Sequence, residues 1–170
     1  LLATVTADSN VNITVTDEVN SSVAQLIANA STGAIEFSIG INDVVSTLTT
    51  DSAITANLTI ITTNDVDVNI NVKDTVTVNE ARNIATSTTG TIGFLSGISD
   101  VKNNYISSAI LTTSKFDDAI GAGGDPDVII TVTTTANAQE GHLIASQTSG
   151  PGYAMFNGGI QDTIANLAID

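Results

Sequence analysis

Three short acidic stretches carry the residues best suited to chemistry: Asp8-Ser9-Asn10, Asp65-Val66-Asp67 and Asp125-Pro126-Asp127. Alternate residues of an extended segment point the same way. Asp8 with Asn10, Asp65 with Asp67, and Asp125 with Asp127 would therefore each bring two oxygen side chains together. Such pairs are the beginning of a calcium site, and these six residues are the candidate ligands. Calcium takes about six to eight oxygens, so Asp17, Asp74, Asp117 and Asp118 would have to be brought round to complete the set. The same residues also suit a turn in which Asp and Asn bond their own backbone.

Other chemistry finds little support. His142 is the one histidine and stands at a helix position where earlier parts of the chain carry Gln25 and Arg82, which reads as a solvent-facing site. "GFLSG" (Gly93 to Gly97) lacks the spacing of a nucleophile elbow. Paired carboxylates serve glycoside hydrolysis, but here they recur, whereas an active site is normally single. "GAGG" (Gly121 to Gly124) is followed by acid rather than Lys-Ser or Lys-Thr and is no phosphate loop. The Asn-x-Ser/Thr triplets at Asn12, Asn20, Asn29 and Asn57 follow from a composition rich in all three residues. The chain is expected not to be an enzyme.

The elements that must position the acidic pairs are repeated. "GINDVVSTL" from Gly40 returns as "GISDVKNNY" from Gly97 and "GIQDTIANL" from Gly159. Gly33, Gly90 and Gly150 fall 57 and 60 residues apart, and Asp43, Asp100 and Asp162 fall 57 and 62 apart. "VNITV", "VNINV" and "VIITV" place Val, Ile and Val on one face at period two, the pattern of a strand with one buried face. Asn20, Thr77 and Asn137 stand where a helix would be capped, with Glu80 and Glu140 three residues on, as in a capping box. That helix is expected to end at the glycine at 33, 90 or 150. A second strand, "AIEFSIGI" (Ala34 to Ile41), should put Ile35, Phe37, Ile39 and Ile41 on one side, with Phe94 and Phe156 as counterparts of Phe37. Asp43, Asp100 and Asp162 should then cap a short helix, anchored by Leu48, Tyr105 and Leu167. A third extended segment is expected over Asn57 to Thr63.

These elements predict an α/β repeat array or solenoid of three strand-helix-strand-short helix units, with equivalent strands stacked, mainly parallel, into a continuous sheet. The boundaries fall at 1–7 (the end of a preceding repeat), 8–64, 65–124 and 125–170, the last incomplete. The chain then reads as a piece of a longer protein.

Composition limits the partners. Four Lys plus Arg against eighteen Asp plus Glu give a net charge of −14, which repels phosphate backbones and anionic lipid. Neither nucleic acid nor membrane insertion is expected, and no run approaches the roughly 18 apolar residues of a membrane span. There is no Cys, which excludes disulfides and thiolate sites.

"SGISDV", "GGIQDTIANLA" and "VNITVTDEVNSSVAQLIA" resemble the tandem repeats of very large secreted bacterial and cyanobacterial surface proteins, including S-layer-like and hemolysin-type calcium-associated ones. The resemblance covers nearly the whole chain and departs at "YISSAILTTSKFDDAIGAGG". It implies an extracellular, non-catalytic building block. The expected role is a structural repeat segment of a long cell-surface protein of S-layer, adhesin or filament type, spanning distance and presenting an acidic polar face. Its partners would be further copies of the repeat in the same or neighbouring chains. The alternatives are a virion fibre or decoration protein, and a carbohydrate-binding or ice-binding module using Thr14, Thr16, Asn69, Asn71 and Thr131.

Overall fold

The computed structural model describes residues 9–107, 110–111, 125–149 and 151–167. The order of elements is β1 (Ile13–Val15), α1 (Ser21–Ala28), β2 (Ile35–Phe37), β3 (Ile41–Asp43), α2 (Val45–Leu48), α3 (Ala56–Asn64), β4 (Ile70–Val72), α4 (Val78–Ala85), β5 (Ile92–Phe94), β6 (Ile98–Asp100), α5 (Lys102–Tyr105), β7 (Ile106–Ser107), β8 (Ile110–Leu111), β9 (Ile130–Val132), α6 (Ala138–Ala145), β10 (Ala154–Phe156) and α7 (Ile164–Leu167). The fold is mixed α/β, with parallel strands in three small sheets and a separate antiparallel pair, β7 with β8.

The starts of α1, α4 and α6 follow from their caps. Asn20, Thr77 and Asn137 accept the amide of the third helical residue, Val23, Glu80 and Glu140, and satisfy a donor that the helix itself leaves unpaired. The capping box closes at Thr77–Glu80 and Asn137–Glu140; the first helix carries Val23 there and has none. Each helix crosses over to a parallel partner strand, so that Ile13 lies beside Ile35, Ile70 beside Ile92, and Ile130 beside Ala154.

The third strand of two sheets comes from the preceding part of the chain. β3 pairs with β4, placing Ile41 beside Ile70, and β6 pairs with β9, placing Ile98 beside Ile130. The orders are thus β3-β4-β5 and β6-β9-β10, while among the described residues β1 pairs only with β2. This corrects the expectation of a continuous sheet. The equivalent strands β1, β4 and β9 lie in three different sheets.

The glycines explain the difference. Ala34 to Ile41 does not run as one strand, because Gly40 has φ +103° and turns the chain out of the β2 sheet before Ile41. Gly97 (φ +79°) and Gly159 (φ +78°) turn it likewise after β5 and β10. Ile39, left on the outside of that turn, is exposed rather than in register with Phe37.

Two other expectations change. Asn57 to Thr63 is helical, within α3, and not extended. The helices α1, α4 and α6 end at Ala28, Ala85 and Ala145, short of positions 33, 90 and 150, with Asn29, Thr86 and Ser146 in ordinary right-handed conformation. Gly33 and Gly90 instead mark a close approach. A Cβ there would lie 2.3 Å from the carbonyl oxygens of Val11 and Asp67 respectively. Gly152, whose Cβ would lie 2.5 Å from the Asp127 oxygen, takes this role in the third segment. Gly150 lies outside the described residues.

One apolar cluster joins the sheets, running from Ala24, Phe37 and Ile41 through Ile70 and Phe94 to Ile130 and Ile144. Leu48 and Tyr105 are fully buried in it, as expected, whereas Phe156 is half-buried and Leu167 is exposed.

Candidate functional site

The repeated phrase Gly-Ile-x-Asp forms the most developed polar arrangement in the structure. Its glycine allows the left-handed turn and also lets the next segment come close, since a Cβ on Gly40 would lie 2.3 Å from the Asn69 oxygen and one on Gly97 2.4 Å from the Ile129 oxygen. Its isoleucine then enters the core, with Ile41 and Ile98 each 1% exposed. The isoleucine amides donate to those same carbonyls, Ile41 to Asn69 and Ile98 to Ile129, both at 2.8 Å.

The aspartate binds backbone on two sides. Asp43 Oδ2 accepts the Ser21 amide (2.9 Å) and hydroxyl (2.7 Å), while Oδ1 accepts the Val44 amide (2.9 Å). Asp100 Oδ2 accepts the Val78 amide (3.1 Å) and Asp162 Oδ2 the Ala138 amide (3.0 Å). Ser21, Val78 and Ala138 are the first residues of α1, α4 and α6, whose free amides and positive end favour a carboxylate. The expectation that these aspartates cap the following short helix is therefore corrected. Val44 and Val101 hold those cap positions without a side-chain bond, and the aspartate caps a long helix some twenty residues earlier. A signal for this was present: Asp43 and Asp100 both follow their partners by 22 residues, and the spacing grows to 24 only in the segment carrying two extra residues.

Burial pushes the Asp43 carboxyl upward, but the hydrogen bonds from Ser21 and Val44 outweigh it and hold the pKa below the ordinary carboxylate value. Asp162 is also held low, chiefly by the Asn166 side-chain amide and the Ala138 amide.

The candidate calcium ligands are placed as follows. Asp65 is buried, and its Oδ2 accepts the Phe37 amide of β2 at 2.7 Å. Asp125 makes the equivalent bond to the Phe94 amide at 2.8 Å, and its Oδ1 accepts the Asp127 amide at 3.2 Å in a local turn. Asp67 and Asp127 are exposed. Asp65 and Asp67 line a shallow depression with Glu36 and Asn69. Burial and the neighbouring Asp67 charge raise the Asp65 pKa against the effect of the Phe37 amide. Asn10 is exposed. Asp8, Asp117 and Asp118 lie outside the described residues. Among the described residues no three His, Cys, Asp or Glu side chains converge to hold a metal ion.

The remaining sequence candidates scatter. His142 is exposed on α6. Thr14, Asn71 and Thr131 lie on strands of three separate sheets, so they form no single flat face; Asn69 is engaged locally by the amide and hydroxyl of Thr91. Among the described residues no helix is long and apolar enough to cross a membrane.

Comparison with protein-family models, with curated proteins and with solved structures gave no match to this chain.

Proposed function

We propose that the chain is a non-catalytic structural segment of a long extracellular surface protein, in which three similar units are joined in a linear array. One observation carries the reading: the joint between units is built twice, with β3 on β4 and β6 on β9 in the same register and with the same aspartate caps. Polar groups that chemistry would need are turned instead on backbone amides. Asp43, Asp65, Asp100 and Asp125 each hold one element against another. The excess of negative charge left on the surface suits a solvated spacer, and further copies of the unit are the natural partners.

Two measurements test the two parts of this reading. Small-angle scattering of the dilute monomer should give a radius of gyration clearly above the roughly 15 Å of a compact chain of this length; a compact value would sink the array. Antibodies against the chain should label intact cells of the source. Labelling only after permeabilisation would overturn the surface role, and labelling of virions would transfer it to a virion fibre.

A further inference from the structure

The turn between β10 and the third Gly-Ile-x-Asp phrase holds the chain's one Asn-Gly pair, Asn157-Gly158. We propose that Asn157 is a modification site: its side chain closes on the Gly158 nitrogen and converts, with water as co-reactant, to a mixture of aspartate and isoaspartate. This goes beyond the structural role above and does not depend on it.

Exposure of this turn belongs to the unit and not to its place in the chain. Asn157 is exposed. The residues at the same place in the earlier units, Ser38-Ile39 and Leu95-Ser96, are exposed as well, although each is followed by another unit. The third turn is nevertheless held differently. In the first two, the residue after the phenylalanine donates to the facing strand, Ser38 to the Val15 carbonyl and Leu95 to the Val72 carbonyl, both at 3.0 Å. In the third, the Val132 carbonyl takes the amide of Gly158, one residue further on, at 3.4 Å. That is longer than the usual range of about 2.7–3.2 Å, so the attacking nitrogen is loosely held. The side chain is free to reach it. Asn20 and Asn137 accept helix amides, and Asn64, Asn83, Asn104 and Asn166 donate to oxygens; among the described residues the Asn157 side chain has no such tie. The side chain that follows another asparagine, such as Ala30 after Asn29 or Asn104 after Asn103, crowds the ring closure, and glycine does not.

The reaction balances without an oxidant or reductant, and the attack is intramolecular. The Gly158 nitrogen gives its proton to solvent base and bonds to Asn157 Cγ, while the side-chain nitrogen leaves as ammonia. The product is a cyclic imide. Water then opens it at one of two carbonyls. Breaking the bond from Cγ to nitrogen restores the main chain with an ordinary aspartate. Breaking the main-chain bond leaves isoaspartate, whose backbone runs through the side chain and is one methylene longer.

The isoaspartate branch has a structural consequence because the turn is closed on both sides. The Gly159 amide donates to the Phe156 carbonyl at 2.9 Å, and the Gly158 carbonyl accepts the Thr135 hydroxyl at 2.9 Å. A Cβ on Gly158 would strike the Thr134 backbone, so the turn has no room to slide. An added methylene must therefore push the phrase outward. It draws the Gly159 carbonyl from the Ala136 amide, now at 3.1 Å, and Asp162 from the Ala138 amide, now at 3.0 Å. Both bonds lie where α6 begins.

Ageing the full chain, folded and in urea, at mildly acid, neutral and mildly alkaline pH, followed by peptide mapping, tests the proposal. In the folded chain Asn157 should convert about tenfold or more faster than any other asparagine. The rate should climb with pH, because the Gly158 nitrogen must lose its proton, and should stay within about tenfold of the rate in urea. Aged chain should carry isoaspartate, read by enzymatic methylation, and its Ala136 and Ala138 amides should exchange hydrogen faster than in fresh chain. Asn157→Ser, which copies the first unit, should remove both changes. Asn157→Asp, which adds the charge without the methylene, should keep slow exchange. Conversion no faster at Asn157 than elsewhere, conversion in urea alone, or aged chain that exchanges like fresh chain would overturn the proposal. Any of these results would leave the scattering test of the array untouched.

Discussion

The first joint, β3 on β4, and the second, β6 on β9, share a backbone and differ in side chains. In both, the isoleucine amide donates to the facing strand, and the aspartate carbonyl accepts the amide of Lys73 or Thr133 at 2.9 Å. Around that frame the chemistry changes. The first joint is anchored by Leu48 and ties the Val45 amide to Asp74. The second uses Tyr105, whose hydroxyl reaches the Ile98 and Thr131 carbonyls at 3.2 and 3.0 Å, and ties the Lys102 amide to Thr134. It also adds an ion pair, Lys102 to Glu140, at 2.9 Å. The fixed glycine and aspartate act on backbone, which does not vary, and the fixed isoleucine fills the same core position in both. The variable positions need only fill a volume and present one donor or acceptor.

That contrast predicts which losses are large. Leu48→Ala should cost the most, about 2–5 kcal/mol, since it empties a fully buried site. Tyr105→Phe at the equivalent place should cost about 1 kcal/mol, the net value of a shared hydroxyl bond. Denaturant melts of both variants check this; a larger loss at Tyr105 would mean that the second joint depends on its polar tie rather than its packing.

Asp43→Asn comes next, at about 1–3 kcal/mol near neutral pH, because an amide donor would face the donors of Ser21 or Val44. The sign of its pH dependence follows from a depressed pKa. The Asp43 contribution is complete above the unfolded carboxylate value, about 4, and is lost as pH falls through the lower folded value. Asp65 behaves oppositely. Its raised pKa makes its contribution complete below the unfolded value and lost as pH rises through the folded one. Asp65→Asn, whose amide oxygen can still accept from Phe37, should therefore be neutral or stabilising near pH 7, and the gap between Asp43→Asn and wild type should close in acid. Melts at both pH values decide, and a gap that widens in acid would contradict the assignment.

Lys102→Met should cost about 1 kcal/mol or less, because a partly exposed pair contributes little and Glu140 keeps the Asn137 amide at 2.8 Å. His142→Ala, at an exposed site, should be within about 0.5 kcal/mol of wild type.

The sequence made the local devices legible. The caps at Asn20, Thr77 and Asn137 and the inward Ile and Val of the short strands depend on neighbouring residues, and the phrases stand out by repetition. What failed was long-range or concealed by composition. Asn57 to Thr63 looks extended because it is rich in β-branched residues. It folds as a helix because Thr55 caps its start, accepting the Leu58 amide, and Leu58 and Ile61 bury one face; the hydroxyls of Thr59, Thr62 and Thr63 find carbonyls four residues back, a bond that does not itself favour the helix. The aspartate caps were missed for a different reason: a carboxylate beside a short helix offers no local sign that its partner lies 22 residues away.

Gly97 and Gly159 provide the most direct test of the claim that the repeated phrase is a joint. They share a backbone conformation, φ +79° and +78°, so alanine at either position brings the same strain, about 1–2 kcal/mol. Only at Gly97 does the added Cβ strike a facing strand, 2.4 Å from the Ile129 oxygen. In dilute solution Gly97→Ala should lose about 1–3 kcal/mol more than Gly159→Ala, the usual cost of overpacking. Equal losses at the two glycines would show that the facing strand does not press on the phrase, and the joint would have to be abandoned.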